Sequence, residues 1–289
     1  MIYKRWMPLF FILPIVAYTL IFFIYPFFLL LLYSFSDATL YSLSQNFIGI
    51  ENYISVFREG RVYFYLQNSI IYTVVVSFAS LMLGMVFALL TNSIKHKKLQ
   101  RIFSISLMLP MMLLPVAVGV TWSLSLTEYY GWVNFILEAI GFRREAWLLK
   151  PYALWFVMLA DVWGWTPFMF IVLLAALQQV PPSILDAAEV DGATRFNKFR
   201  FIIFPTLKPV IITLTTLKLI DTYKEFDMLW VMTRGGPGDL STNINVIVYK
   251  SLFNYFKLGR ASCYGVISLI FPILVLIIYY FIIRRRGKD

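Results

Sequence analysis

Six long apolar runs separated by polar segments organise the sequence. Each is close to the roughly 20 mostly apolar residues that an α-helix needs to cross a bilayer. The pattern predicts an all-α, polytopic membrane protein with six transmembrane helices. The predicted spans are Met7–Tyr33, Ser69–Leu90, Ile102–Leu126, Tyr152–Leu177, Ile202–Ile220 and Ala261–Ile283. The first run extends well beyond the 7–15 apolar residues of a secretory signal and offers no small-residue cleavage site, so we expect it to stay as an anchor.

Composition supports a membrane protein and excludes several kinds of chemistry. The 289 residues are 60% hydrophobic and 14% charged, against about 45–50% and about 25% in soluble domains. The single cysteine, Cys263, and the single histidine, His96, exclude an internal disulfide and a Cys/His metal centre. The sequence also lacks the glycine-rich, lysine-containing loop that holds nucleotide phosphates. We therefore expect no catalytic residue, metal or cofactor in this chain.

The net charge of +10 is distributed as a topology signal. Lys and Arg cluster at the ends of the apolar runs, which is typical of cytoplasmic loops rather than of a nucleic-acid surface. With the N-terminus inside, the inner segments carry fourteen Lys and Arg residues, and the longer outer segments carry ten. The inner segments are then 1–6, 91–101, 178–208 and 284–289. Both termini are predicted to be cytoplasmic.

The loop between the fourth and fifth spans is unusually ordered for a connector. Its residues from Pro181 to Pro209 read PPSILDAAEVDGATRFNKFRFIIFPTLKP. Pro182 suits the first turn of a helix, and Asp191–Gly192 is a turn signal that ends one. A second helical run begins at Ala193. We predict a cytoplasmic helix–turn–helix over about 181–205; the alternative is an ordinary inter-span connector.

This loop resembles the "EAA loop" of bacterial ABC importer permeases. One departure is Asp186 where the pattern has Glu, which keeps the charge on a shorter side chain. The resemblance implies a coupling helix that docks on an ATPase subunit and follows its nucleotide-driven closure, with ATP and Mg bound by partner ATPase subunits. The residues implied to couple to the ATPase are Asp186, Ala187, Ala188, Glu189, Asp191, Gly192, Ala193, Phe199 and Pro205.

A second resemblance narrows the class of importer. Residues 222–227, TYKEFD, and 233–238, TRGGPG, are similar to the F-x-x-F-D and T-x-G-G-P segments of carbohydrate-importer permeases. The resemblance covers nearly the whole chain and implies one permease domain over 1–289 in a bacterial or archaeal cell membrane. It also implies a carbohydrate or polyol as cargo. The implied partners are a second homologous permease, two ATPase subunits, an extracytoplasmic solute-binding protein and membrane lipid.

Candidate substrate contacts come from charged and aromatic side chains within the fourth and fifth spans. Ionisable groups inside a span are costly and tend to face a cavity or a partner. In the fifth span Lys218 shares a face with Asp221, Thr222 and Glu225. In the fourth span Asp161, Trp165 and Phe168 share another face. Sugars need both polar groups and flat aromatic surfaces. The candidates are Asp161, Trp163, Trp165, Phe168, Asp221, Thr222 and Glu225. Alternatively, the charges pair with one another and the tryptophans pack against helices or lipid.

Three other functions remain open from sequence. An ABC permease for an amino acid, phosphate or metal would keep the same fold. An ion-coupled secondary transporter would usually show internal repeats and broken helices near the midplane, and neither is evident in the pattern. A membrane-bound enzyme would need a clustered acid–base or metal-binding set, which the sequence does not offer.

Overall fold

The computed structural model describes the backbone of residues 7–42 and 46–286 and the side chains of 11–42 and 46–284. The predicted topology signals at Lys4, Arg5 and Lys288 lie outside the described residues. Within the described part of the chain the regular secondary structure is helical, apart from one isolated β-bridge between Ser36 and Phe47. The all-α fold class predicted from the apolar runs is confirmed.

Within residues 7–42 and 46–286, five helices are long and apolar enough to cross a membrane, and a sixth crossing is reached if one bent pair is counted as a single span. Their outward faces carry many exposed Leu, Ile and Phe side chains, as lipid contact requires. The five long spans are Phe11–Ser34, Arg61–Asn92, Ala153–Leu177, Arg195–Tyr223 and Leu258–Arg284.

The predicted third span, Ile102–Leu126, is present as a bent pair rather than as a straight helix. Helix Lys97–Met112 and helix Pro115–Ser125 meet at 94°. Leu114 is extended, and Pro115 begins the second helix. Proline has no N–H to donate and disfavours helical geometry in the residue before it, which accounts for the break at Leu114.

The contacts between described residues divide the chain into two compact units. The first comprises the described residues up to Leu66 together with Ile247–Ile270, and the second comprises Gln67–Val246 with the residues from Phe271 onward. The helices in chain order are α1 Met7–Thr19, α2 Tyr25–Ser34, α3 Glu51–Arg58, α4 Arg61–Asn92, α5 Lys97–Met108, α6 Pro115–Ser125, α7 Trp132–Ala139, α8 Ala153–Leu177, α9 Pro182–Val190, α10 Arg195–Lys198, α11 Phe204–Tyr223, α12 Asp227–Thr233, α13 Ile244–Tyr249, α14 Leu258–Ser268 and α15 Ile270–Arg286.

In the first unit, α14 packs closely on the end of α2. Gly259 lies against the Ser36 carbonyl, where a Cβ atom would have no room. The Asn52 side-chain amide donates to the carbonyls of Ser34 and Ser36 at 3.0 and 2.8 Å. The Tyr53 hydroxyl donates to Ser34 Oγ at 2.8 Å. The two Asn52 bonds satisfy carbonyls at and just after the end of α2, which otherwise lack helical partners.

In the second unit, α4, α8 and α11 pack into an apolar core through small residues. Gly84 on α4 is so close to α8 that a Cβ atom there would lie 2.6 Å from Met169 Cβ. Phe170, Leu173 and Leu207 are fully buried at this contact. Glycine at such a position lets helix backbones approach closely, as is common between membrane helices.

Candidate functional site

The predicted helix–turn–helix forms between α8 and α11. Helix α9 ends at Val190, and Gly192 follows with φ +77°, a left-handed conformation that glycine adopts without strain. The Ala193 N–H donates to the Ala188 carbonyl at 2.9 Å, and the Gly192 N–H donates to the Glu189 carbonyl at 3.1 Å. This pair of bonds is a Schellman motif. It fixes the direction in which the chain leaves α9.

The second half of the loop is fixed by a cap and an ion pair. Thr194 Oγ1 accepts a hydrogen bond from the Asn197 N–H at 3.2 Å and so caps α10. Lys198 Nζ lies 2.7 Å from Glu189 Oε2 and links the second helix to the first. This hydrogen bond and the Lys198 charge lower the pKa of the Glu189 carboxyl, with smaller contributions from Arg195 and Lys95.

Most of the loop is exposed, including apolar side chains. Val190 is 89% exposed and Phe196 is 65% exposed. Exposed apolar groups rimmed by charge are typical of a surface that binds another protein. Two predicted coupling residues lie closer to the membrane helices: Phe199 packs against the core, and Pro205 lies in the first turn of α11. The exposed predicted residues are Asp186, Ala187, Glu189, Asp191 and Gly192, with Ala188 and Ala193 partly exposed.

A buried ion pair joins α8 to α11. Lys218 Nζ lies 3.3 Å from Asp161 Oδ1, and the two side chains are 1% and 0% exposed. The Tyr72 hydroxyl of α4 donates to the other oxygen, Asp161 Oδ2, at 2.7 Å. Both carboxylate oxygens therefore have partners, as a buried charge requires. The network connects three membrane helices through one carboxylate.

Lys218 also fixes an aromatic side chain. Its ammonium group lies 4.1 Å from the centre of the Trp165 ring, within cation–π distance. Trp165 in turn meets Phe168 edge to face, with ring centres 5.8 Å apart. Both rings line a cavity of about 300 Å³ between α8 and α11. Asp221 and Lys224, 3.4 Å apart, add a charged pair to its lining.

The structure brings together four of the seven candidate substrate residues and separates the other three. Asp161, Trp165, Phe168 and Asp221 belong to the ion-pair network and the cavity just described. Trp163 lies on another face of α8, edge to face with Trp122 at 6.2 Å.

Thr222 and Glu225 lie beyond the cavity lining. Thr222 is buried, and its hydroxyl has no hydrogen-bond partner among the described residues. Glu225 Oε1 accepts the Met228 N–H at 2.8 Å and caps the first turn of α12. The Glu225 carbonyl accepts a hydrogen bond from the Asn243 side chain at 2.7 Å. The Glu225 side chain therefore has a structural role in this conformation.

Sequence reasoning missed two members of this site. Tyr72 was not a candidate, because a tyrosine within an apolar run carries no charge to mark it. Lys224 was placed in an outer segment, although it lines the cavity. Lys218 was on the predicted face, and the cost of a lysine inside a span was the signal that it needed a buried carboxylate.

The chain is thus a helical membrane protein with an exposed helix–turn–helix between two spans and a charged pair buried between the same two spans. The chain belongs to the family of binding-protein-dependent transport system inner membrane components, whose model matches residues 80–288. This is a family of transport permeases rather than of enzymes, and its members are components of the inner membrane.

Similar proteins agree with this assignment over nearly the full length. The trehalose/maltose transport system permease protein MalF of Thermococcus litoralis is 34% identical over 285 residues, which is 96% of this chain and 93% of that protein. The sulfoquinovosyl glycerol transport system permease protein SmoG of Agrobacterium fabrum is 31% identical, covering 91% of this chain and 85% of that protein. A permease chain of a bacterial ABC transporter that imports alginate superposes with a TM-score of 0.86 at 22% identity, covering 97% of this chain and 96% of that one. That last similarity shows the fold.

Proposed function

We propose that this chain forms half of the membrane pathway of an ATP-driven importer for a carbohydrate or related polyol. The observation that carries the proposal is the position of the exposed helix–turn–helix, which directly joins α8 and α11, the two helices that line the aromatic cavity. A second, similar permease would form the other half. Two ATPase subunits would bind ATP and Mg, and an extracytoplasmic binding protein would deliver the cargo.

Coupling follows from the rigidity of the loop. In the proposed assembly the ATPase subunit receives α9 and the exposed Val190 and Phe196 side chains. The Schellman motif at Gly192 and the Glu189–Lys198 ion pair keep the loop from absorbing the movement of that subunit. The movement then passes to α8 and α11 together, because the buried Asp161–Lys218 pair ties these helices to each other. The whole chain, 1–289, works as one permease domain with both termini cytoplasmic.

Substrate recognition is assigned to the cavity between α8 and α11. Trp165 and Phe168 supply the flat apolar surface on which the C–H face of a sugar packs, and Asp221 supplies a hydrogen-bond acceptor for hydroxyl groups. Asp161 acts as a positioning residue, because it holds Lys218 and Lys218 holds the Trp165 ring. Thr222 contributes an unused hydroxyl when the helices separate. Trp163 and Glu225 shape the neighbouring surfaces.

ATP hydrolysis by the co-expressed assembly in lipid nanodiscs tests the coupling role. We expect binding protein plus its cargo to raise hydrolysis, and Gly192→Pro to abolish this increase, since proline cannot adopt a positive φ and removes the N–H of the motif. Gly141→Pro is the matched control: Gly141 also has a positive φ, +93°, and its N–H also closes a turn, onto Glu138 in another loop. It should assemble and keep basal hydrolysis.

A panel of solutes in the same assay tests the cargo. Stimulation by a sugar or polyol, lost with Trp165→Ala and partly kept with Trp165→Phe, supports recognition by the aromatic cavity. Stimulation by an amino acid, phosphate or metal instead would keep the importer and refute the carbohydrate. If no ATPase co-purifies and uptake collapses with an ion gradient, the proposal of ATP-driven import is wrong.

A further inference from the structure

A basic pocket lies between α5 and α8, near the start of α5. Its volume is about 380 Å³, and Lys97 and Arg101 line it together with Gln100, Ser104 and Gln178. Lys97 and Arg101 are both exposed. Among residues 7–42 and 46–286, neither has a carboxylate within ion-pair distance. The Ser104 hydroxyl and the Gln100 amide already donate to the Gln100 and Thr91 carbonyls. The pocket therefore offers two cations, with no anion from the described chain.

An apolar cavity follows along the same two helices. Its volume is about 420 Å³, and its lining includes Leu107 and Pro110 from the α5 side and Trp163 and Phe170 from α8. Trp122 of α6 also reaches it. Pro110 and Trp122 belong to the two halves of the third span, which meet at 94°. The cavity therefore lies at the bend.

The two pockets together match one kind of ligand. Arg101 and Pro110 are nine residues apart, which is about 14 Å along a helix axis. A cationic, hydrogen-bonding end and an apolar end at that separation fit a molecule with an anionic headgroup and a long hydrocarbon chain. We propose that the groove formed by these two pockets binds an anionic phospholipid of the surrounding membrane, with the phosphate at Lys97 and Arg101 and an acyl chain beside Trp163.

The charge pattern favours a membrane lipid over a soluble phosphate. Basic pockets between membrane helices near the headgroup level bind anionic lipids, and a free phosphate would leave the apolar cavity without a ligand. The groove also lies at the same end of the second unit as the coupling loop. Lys95, which precedes α5, is close enough to Glu189 to help lower the pKa of that carboxyl. A bound lipid would therefore lie near the proposed coupling loop.

Native mass spectrometry of the purified assembly, reconstituted with equal amounts of phosphatidylglycerol and phosphatidylethanolamine, tests the proposal. We expect phosphatidylglycerol to be retained preferentially. Each Lys or Arg near an anionic lipid contributes about a fivefold factor in binding, so K97Q with R101Q should lower retention by roughly 30-fold. The matched control is K95Q with K98Q, which removes the same charge from the same segment but from residues that do not line the pocket.

A second variant tests the apolar end without changing charge. Ser106 lines the apolar cavity, and S106F should place a ring where the acyl chain lies and reduce retention of both lipids, while assembly and basal ATP hydrolysis stay intact. Equal retention of the two lipids by the unmodified assembly would overturn the proposal. Equal losses in the two charge variants would show diffuse attraction instead of a site, and would also overturn it. If the second permease shields S104C from a thiol reagent and no lipid is retained, the groove is a subunit interface and the proposal is overturned.

Discussion

Lys218→Met should destabilise the protein strongly, because it leaves a buried carboxylate without its cation. Asp161 is 0% exposed and keeps only the Tyr72 hydroxyl, 2.7 Å away, as a partner. Breaking a buried ion pair from one side typically costs 3–5 kcal/mol. The Tyr72 bond that remains favours the lower end, so we expect a loss of about 3 kcal/mol, or roughly 150-fold in the unfolding equilibrium. The loss includes the cation–π contact with Trp165.

Thermal unfolding of the assembled transporter in nanodiscs measures this effect. A loss of about 3 kcal/mol corresponds to a fall in Tm on the order of 6–12 °C. Lys224→Met is the matched control, because Lys224 also pairs with an aspartate, Asp221, at 3.4 Å, but the two side chains are 65% and 42% exposed. An exposed pair is worth under about 1 kcal/mol, so this control should barely move Tm.

The double variant Asp161→Asn with Lys218→Met completes the experiment. Replacing both partners removes the unpaired charge, and such replacements are often neutral. Asparagine can still accept the Tyr72 hydrogen bond. We expect the Tm of the double variant to lie within a few degrees of that of the native protein. This is far above the Tm that would result if the losses of the two single variants were added. If the single effects simply add, or if Lys218→Met shifts Tm no more than Lys224→Met does, the two charges are not coupled and the reasoning is wrong.

Three further predictions concern the packing of the helices and the coupling loop. Gly84→Ala should lower stability by about 1–3 kcal/mol through overpacking against α8, whereas Gly164→Ala, whose Cβ would meet no atom closer than 3.9 Å, should be neutral in the same thermal assay. The lowered pKa of Glu189 means that its ion pair stabilises the loop above the usual glutamate pKa and is lost as pH falls through the lowered value; carboxyl-carbon NMR should show that Lys198→Gln moves this pKa back up. Thr194→Ala should remove the α10 cap and cost about 0.5–2 kcal/mol locally, seen as faster amide exchange in the loop, and unchanged exchange would contradict the assigned cap.

The sequence predicted the spans and the helix–turn–helix because both depend on local signals. Apolar length marks a span regardless of its neighbours, and the Asp191–Gly192 turn closes within one helix end. The bend in the third span also had a sequence signal, because Pro110 and Pro115 lie inside the predicted helix. The prediction of a straight span relied on apolar length instead.

The candidate site was only partly predictable, because it depends on which helix faces meet. Helical spacing placed Asp161 and Trp165 on one face, and the structure keeps them together. Trp163 and Trp165 are two residues apart, about 200° around a helix, so spacing alone already placed them on different faces, and they line different cavities. Spacing could not supply Tyr72, which reaches the site from a helix distant in sequence.

The buried pair between α8 and α11 also bears on how the protein enters the membrane during synthesis. These two helices belong to the two least apolar of the five long spans, and an ionisable side chain inside a span adds to the cost of insertion unless it finds a partner. The fourth span leaves the ribosome before the fifth, so Asp161 is already available when Lys218 follows. We therefore expect the fifth span to insert at lower cost when Asp161 is already in the bilayer than when that aspartate is removed.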